Sequence, residues 1–260
     1  MGEVTARWWV VGFLVLFLGA CGEPAPQKPL KVATDATLIP MSFINDQNQI
    51  DGFEADLMRE IARAAGLEYE LVNVEWAGVI GGVITGKYDL AISSITILPE
   101  RKEKVAFSIP YLKSGLAIVV RRDRGDIRSL KDLVAGNLRV GAQRGTTADF
   151  FLDRHPGIRK VTYEQYGHAV ADLIKGEVDA VVGESTGTLY YKNHDNAVFE
   201  KIRMTGEIMT EEYYGIIVPK NRKDLLKRIN GALRALIQDG TVARLHRKWD
   251  LGRAAAVPRA

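Results

Sequence analysis

One cysteine, Cys21, stands in the whole 260-residue chain, so no disulfide can close within it and no thiolate zinc site can form. The fold must hold through its apolar cores alone. Histidine is scarce and scattered: His155, His168, His194 and His246 make no His-Glu-x-x-His pair, which leaves a zinc hydrolase without ligands. No Gly-x-Ser-x-Gly elbow exists for a serine nucleophile, although Ser185 follows Glu184. Gly81 to Lys87 has the spacing of a nucleotide P-loop, but Tyr88 stands where magnesium needs a Ser or Thr, and no strand feeds the loop. Neither charge sign dominates, with 35 basic against 32 acidic residues and a net charge of +3, so nucleic acid is not an expected partner. The longest apolar run, Trp8 to Leu18, falls short of the about 20 residues that a membrane helix needs.

That run has the length of a signal-peptide core, follows Arg7, and ends in Leu18-Gly19-Ala20-Cys21, small residues before a cysteine. Residues 1–20 are therefore expected to be a signal peptide. Residues 21–29, with Pro24, Pro26 and Pro29, form an extended tether.

Beyond the tether the hydrophobic pattern alternates between short apolar runs and helical spacing. Lys31-Val32-Ala33 is a strand. Leu57, Met58, Ile61 and Ala65 recur on one helix face, and Gly66 stops it. A strand over Glu68 to Val74 and a glycine-weakened helix from Trp76 to Thr85 follow, then a strand from Asp89. After the charged run Arg121 to Arg128 the rhythm repeats: Ser129 caps a short helix, Arg139 to Gly141 is a strand and Thr147 starts a helix. A strand at Lys160 to Tyr163, a helix Ala169 to Lys175 stopped by Gly176, a strand Asp179 to Val182 and a helix around Thr186 to Tyr191 complete it. Leu225, Ile229, Leu233, Leu236 and Ile237 mark the buried stripe of a long final helix, with Trp249 as an anchor. A chain of this length accommodates two lobes of about 100–150 residues. We read residues 30–119 with 215–252 as the first lobe and 120–214 as the second, joined by crossings at Gly115–Arg121 and Glu212–Val218.

The stretch Ile92-Ser93-Ser94-Ile95-Thr96-Ile97-Leu98-Pro99-Glu100-Arg101 places backbone donors, hydroxyls and a forked cation within a few residues. That combination suits a carboxylate, since a guanidinium binds both oxygens in one plane. Around it, in one order, stand Thr34-Asp35-Ala36-Thr37, Gly52-Phe53-Glu54-Ala55-Asp56-Leu57, Trp76-Ala77-Gly78-Val79-Ile80, Phe107-Ser108-Ile109-Pro110-Tyr111, Gly145-Thr146-Thr147 and Asp179-Ala180-Val181-Val182. From Leu30 to Trp249 this series resembles the extracellular solute-binding proteins of family 3, which deliver polar amino acids to ABC importers.

The resemblance implies an α/β, two-lobed periplasmic-binding-protein-like fold of type II, with the ligand in the inter-lobe cleft and a hinge between lobes. It implies Arg101 on the ligand α-carboxylate, Thr96 on carboxylate and amine, the Ser94 carbonyl on the amine, and Thr146 and Thr147 at a helix N-terminus of the second lobe. Glu184 stands where the family has an aspartate for the ammonium. Asp35, Leu38, Trp76, Ser93 and Gln143 match the side-chain end of the pocket, and Leu38 and Met41 replace aromatics common there. With Asp35 at that end and Arg144 facing solvent, a cationic or amide-bearing amino acid is expected over an acidic one. The Leu-Gly-Ala-Cys stretch resembles a lipobox, so Cys21 is expected to carry a lipid anchor at the cell envelope, in the periplasm or on the outer face of the membrane. The expected partner is an ABC permease, with the protein a monomer and with no metal, cofactor or catalysis. The alternative is an enzyme similar to the cyclohexadienyl dehydratases on the same fold, with Glu184 as the acid that protonates a leaving hydroxyl.

Overall fold

The structure is a computed structural model and describes residues 2, 28–187, 196–252 and 256–258. The signal segment, Cys21 and most of the tether lie outside the described residues, as does the greater part of the helix expected around Thr186 to Tyr191.

Two five-stranded sheets carry the fold. In the first, Leu30–Thr34 lies between Tyr69–Asn73 and Leu90–Ala91, all parallel, and Ile217–Val218 then joins antiparallel between Leu90–Ala91 and Ala106–Phe107. The second repeats the plan, with Arg139–Gln143 between Arg159–Tyr163 and Ala180–Glu184, followed by antiparallel Leu116–Arg121 and Ile202–Thr205. Parallel neighbours need helical crossovers, which Phe53–Ala65, Trp76–Ile84, Thr147–Asp153 and Tyr166–Lys175 supply. Gly66 and Gly176 end two of these in the left-handed conformation.

The first core forms where Leu57, Met58 and Ile61 meet Leu225, Ile229, Leu233 and Leu236 of the helix Lys223–Gln238, all buried. Each such side chain contributes about 1.5–3 kcal/mol relative to exposure. Ile237 is only half-buried. Trp249 packs edge-on against Phe43 at 5.8 Å and donates from Nε1 to Asp56 at 2.9 Å. Met41 is fully buried in this core. Of the glycines in Trp76–Ile84, Gly82 has a packing reason, because a Cβ there would stand 2.4 Å from the Tyr88 ring. Ser129 occupies the N-cap of Leu130–Ala135 but bonds the Asp132 carboxylate rather than the backbone.

The crossings between lobes differ from the expectation. Leu116–Arg121 belongs wholly to the second sheet, so a boundary between residues 119 and 120 cuts through a strand. The expected return strand Glu212–Val218 divides at Gly215: Glu212–Tyr214 pairs antiparallel with Leu112–Ser114, and Ile217–Val218 enters the first sheet. The two-stranded ribbon Leu112–Ser114 with Glu212–Tyr214 is therefore the connection, and apolar continuity across Gly115 and Gly215 hid it in the sequence. Lys113 also exchanges two backbone bonds with Ala256, near the end of the chain, at 2.7 and 3.1 Å.

Gly115 is where the crossings touch, since a Cβ there would fall 2.1 Å from the Thr210 carbonyl oxygen and 2.5 Å from the Ile208 side chain. Gly115→Ala is expected to destabilise the protein by roughly 1–3 kcal/mol through overpacking. Urea unfolding checks this, and a loss below about 0.5 kcal/mol contradicts the close approach.

Candidate ligand-binding cleft

The carboxyl ends of parallel strands in both sheets point toward one crevice, the usual place for a site in open α/β sheets. Asp35 follows Leu30–Thr34, Ser93 and Ser94 follow Leu90–Ala91, Gln143 closes Arg139–Gln143, and Glu184 closes Ala180–Glu184. Between them lies a cavity that holds about 40 Å³ of water-accessible space. Asp35, Leu38, Trp76, Ser93, Ser94, Thr96 and Arg101 line it from the first lobe, and Gln143, Thr146, Thr147 and Glu184 from the second. The structure thus brings together every binding residue expected from the sequence.

Arg101 lies on the short helix Pro99–Lys102, which begins with proline at its first turn. The charged run around it separates: Lys102, Glu103 and Lys104 are exposed, whereas Arg101 is 7% exposed. Its guanidinium donates to the Thr96 carbonyl at 3.1 Å and, across the cleft, to the Gly145 carbonyl at 3.4 Å, with the Trp76 ring 5.4 Å away. Burial lowers its pKa, and the Glu184 and Glu212 carboxylates work against that. Among the described lining residues it is the sole cation.

Glu54 supports the loop before Arg101. Ser94 has φ 47, a left-handed conformation unusual for serine. Its N–H donates to Glu54 Oε1 at 2.6 Å and its hydroxyl to the same oxygen at 3.2 Å. Ser42 and Tyr111 also donate to this carboxylate. Burial raises the Glu54 pKa, and these four donors hold it back. Donors on this scale compensate a buried carboxylate and immobilise what they are attached to.

Thr96 forms an isolated bridge with Tyr214 through the Ile97 N–H and the Ile95 carbonyl, which turns the Thr96 peptide groups to the opposite side. Its hydroxyl donates to Glu212 Oε2 at 2.7 Å. In the second lobe, Thr146 is the N-cap of Thr147–Asp153, and Asp149 accepts the Gly145 N–H at 2.8 Å, bracing the turn. The Thr147 hydroxyl lies 3.2 Å from Glu184 Oε1 and 3.0 Å from Glu212 Oε2. Tyr214 donates to the other Glu184 oxygen. Burial, then the nearby Glu212 carboxylate, pushes the Glu184 pKa up to about 8, against the pull of Tyr214, Thr147 and Arg101.

At the other end, Asp35 accepts from Thr37 at 2.7 Å and, between lobes, from Gln143 Nε2 at 3.3 Å, and its own N–H donates to Ser93 Oγ at 2.9 Å. Burial raises its pKa despite these bonds. Arg144 pairs with Glu164 at 2.8 Å on the exposed surface, and does not face Asp35.

Sequence reasoning missed Glu54, Tyr166 and Gly183, which line the cavity, and Glu212 and Tyr214 directly behind it. One signal was available. Tyr214, Ile216 and Val218 are buried on one face, so strand parity turns Glu212 inward and Glu211 outward.

The model for bacterial extracellular solute-binding proteins, family 3, matches residues 30–252. The L-cystine-binding protein TcyJ of Escherichia coli is 31% identical over 89% of this chain and 86% of its own length. An ancestral arginine-binding protein solved with arginine superposes with a TM-score of 0.80 at 34% identity, over 86% of this chain and 98% of that one. The ancestral amino acid-binding protein AncCDT-1, a precursor of cyclohexadienyl dehydratase, gives 0.78 at 34% identity, over 85% and 95%. With the two-sheet architecture and the cleft at the strand ends, these matches establish that the chain belongs to the bacterial extracellular solute-binding proteins, family 3.

Proposed function

We propose that this protein binds a cationic or amide-bearing amino acid between its lobes, closes over it, and hands it to the permease of an ABC importer. The charge balance of the cleft carries this reading: among the described lining residues one guanidinium, Arg101, stands with three acids, Asp35, Glu54 and Glu184, and Glu212 lies directly behind the wall. Arg101 suits the α-carboxylate and Glu184 the ammonium, with Thr96 and Thr147 beside both. Asp35, with Ser93 and Gln143 as neutral neighbours, suits a distal cation or amide, and Trp76 and Leu38 its alkyl portion. An acidic side chain there meets like charge, with no cation among the described residues of that end to offset it. The protein works as a monomer at the cell envelope, held to the membrane by a lipid on Cys21, and its groups bind rather than catalyse. A dehydratase reading draws on the raised pKa of Glu184, which gives an acid at neutral pH. Turnover of prephenate or arogenate by the purified protein decides for that reading.

A thermal-shift panel of the twenty amino acids is expected to give its largest shifts with arginine, lysine, ornithine, histidine or glutamine. A largest shift from glutamate or aspartate refutes the assignment of Asp35. Arg101→Ala leaves a ligand carboxylate buried without its cation, which costs about 2–5 kcal/mol, or roughly 30-fold to several-thousand-fold in affinity. Calorimetry showing less than about a threefold change removes Arg101 from this role.

Proton linkage gives a further expectation. Glu184 has a higher pKa folded than its ordinary 4.5, so between that value and about 8 the ligand-free protein holds a proton that the unfolded chain has lost. Its contribution to stability is greatest at the acid end of that window and falls as the pH climbs through it. Ammonium binding requires the ionised form, so affinity rises from pH 6 to pH 8 by up to about tenfold per unit and then levels off. Calorimetry near pH 7 in buffers of different ionisation enthalpy should detect proton release, and Glu184→Gln should abolish it. Equal affinity at pH 6 and pH 8 overturns the assignment of Glu184.

A further inference from the structure

Besides the Arg101–Gly145 and Gln143–Asp35 bonds, one oxygen that ties the two lobes together belongs to the connection between them. Glu212 opens the return strand Glu212–Tyr214, and only 7% of it is exposed. Its Oε2 accepts from the Thr96 hydroxyl of the first lobe at 2.7 Å and lies 3.0 Å from the Thr147 hydroxyl of the second, whose one proton it shares with Glu184 Oε1 at 3.2 Å. Its Oε1 accepts from Thr210 at 3.0 Å, and the Thr210 hydroxyl in turn accepts the Leu116 N–H at 2.9 Å. The carboxylate is thus held from behind while its forward oxygen takes one donor from each lobe.

This arrangement has two consequences. A hydroxyl owns one proton, and Thr96 commits its proton to Glu212, so the Thr96 lone pairs remain for a donor in the cleft. An ammonium is such a donor. Opening, moreover, must separate Thr147 from Thr96, and one oxygen atom cannot follow both. Charge-assisted bonds of this kind are the strong ones in a buried setting, so their loss weighs on the open form.

We infer that Glu212 is a positioning residue that latches the lobes: it orients the Thr96 and Thr147 hydroxyls and biases the cleft toward the closed form before any ligand arrives. It is not among the residues lining the cavity, so it acts through the two threonines. The inference rests on the closing-cleft reading above, though not on the identity of the amino acid.

The test is an inter-lobe distance measured in the full chain, with Cys21→Ala and spin labels on cysteines placed at the exposed Lys102 and Lys131. The ligand-free protein is expected to show a closed, short-distance fraction. Glu212→Gln should lower that fraction at least threefold and raise the arginine concentration needed for half-closure at least tenfold. An unchanged ligand-free distribution in Glu212→Gln, or no short-distance fraction in the parent, overturns the latch. If Glu212→Gln fails to fold, Thr96→Val and Thr147→Val each remove one bond and spare the carboxylate. Each should lower the closed fraction, and the double variant should lower it no further than either alone; additive losses, or none, also overturn the latch. The two readings fail separately. A shifted ligand-free distribution with no response to arginine keeps the latch and refutes arginine as ligand, whereas equal closure by arginine from identical starting distributions does the reverse.

Discussion

A carboxylate removed from water needs a proton, a cation or several donors, and the cleft of this protein is arranged around that requirement. Each acid meets it differently. Glu54 collects donors from Ser42, Ser94 and Tyr111. Glu212 collects hydroxyls from Thr96, Thr147 and Thr210. Asp35 has Thr37 and Gln143. Glu184 is buried beside Glu212, and its pKa rises to about 8 against the pull of Tyr214, Thr147 and Arg101. Arg101, the one cation among the described residues of the cavity wall, cannot balance all of them. The deficit is what an incoming cation relieves, so the affinity proposed for the site and the strain in the ligand-free cleft have one origin.

The same bonds do structural duty. Glu54 reaches from the helix Phe53–Ala65 to hold Ser94 in a conformation that serine seldom adopts. The loop that follows carries Thr96 and then Arg101, so a residue on the helix flank sets the direction of the cleft wall. Strain kept at a site by a surrounding network is a common arrangement where geometry matters to binding. In the second lobe Asp149 plays the comparable part by gripping the Gly145 N–H ahead of Thr146 and Thr147.

Much of this was legible in the chain itself. The sheets and helices follow from local periodicity, with Gly66 and Gly176 ending helices where their spacing indicated. The stretch from Ser93 to Arg101 drew attention because it carries hydroxyls, backbone donors and a guanidinium within a few positions; the other residues of the cavity wall were expected from the family resemblance. The crossings were harder, because Gly115–Arg121 and Glu212–Val218 read as continuous apolar strands, and only pairing partners reveal where each changes sheet. Glu212 and Tyr214 escaped for a related reason. Their partners lie 116, 65 and 30 positions away in the chain, so strand parity could turn Glu212 inward but could not name what it meets there. Glu54 stood inside a recognised motif, yet a single acid amid apolar neighbours on a helix gives no sign of the serine it holds.

The backbone pairing of Lys113 with Ala256 places the end of the chain beside the connection between lobes. Lys113 is paired with Tyr213 on one side and Ala256 on the other, so the ribbon gains a third member at its midpoint, as a splint lies along a joint. Bending there must either carry this extra segment along or break its two bonds. The torsional stiffness of the pivot is therefore written partly in residues far from the cleft in sequence. A substitution that displaces Ala256 removes both of those bonds from the ribbon, although it touches no residue of the cleft.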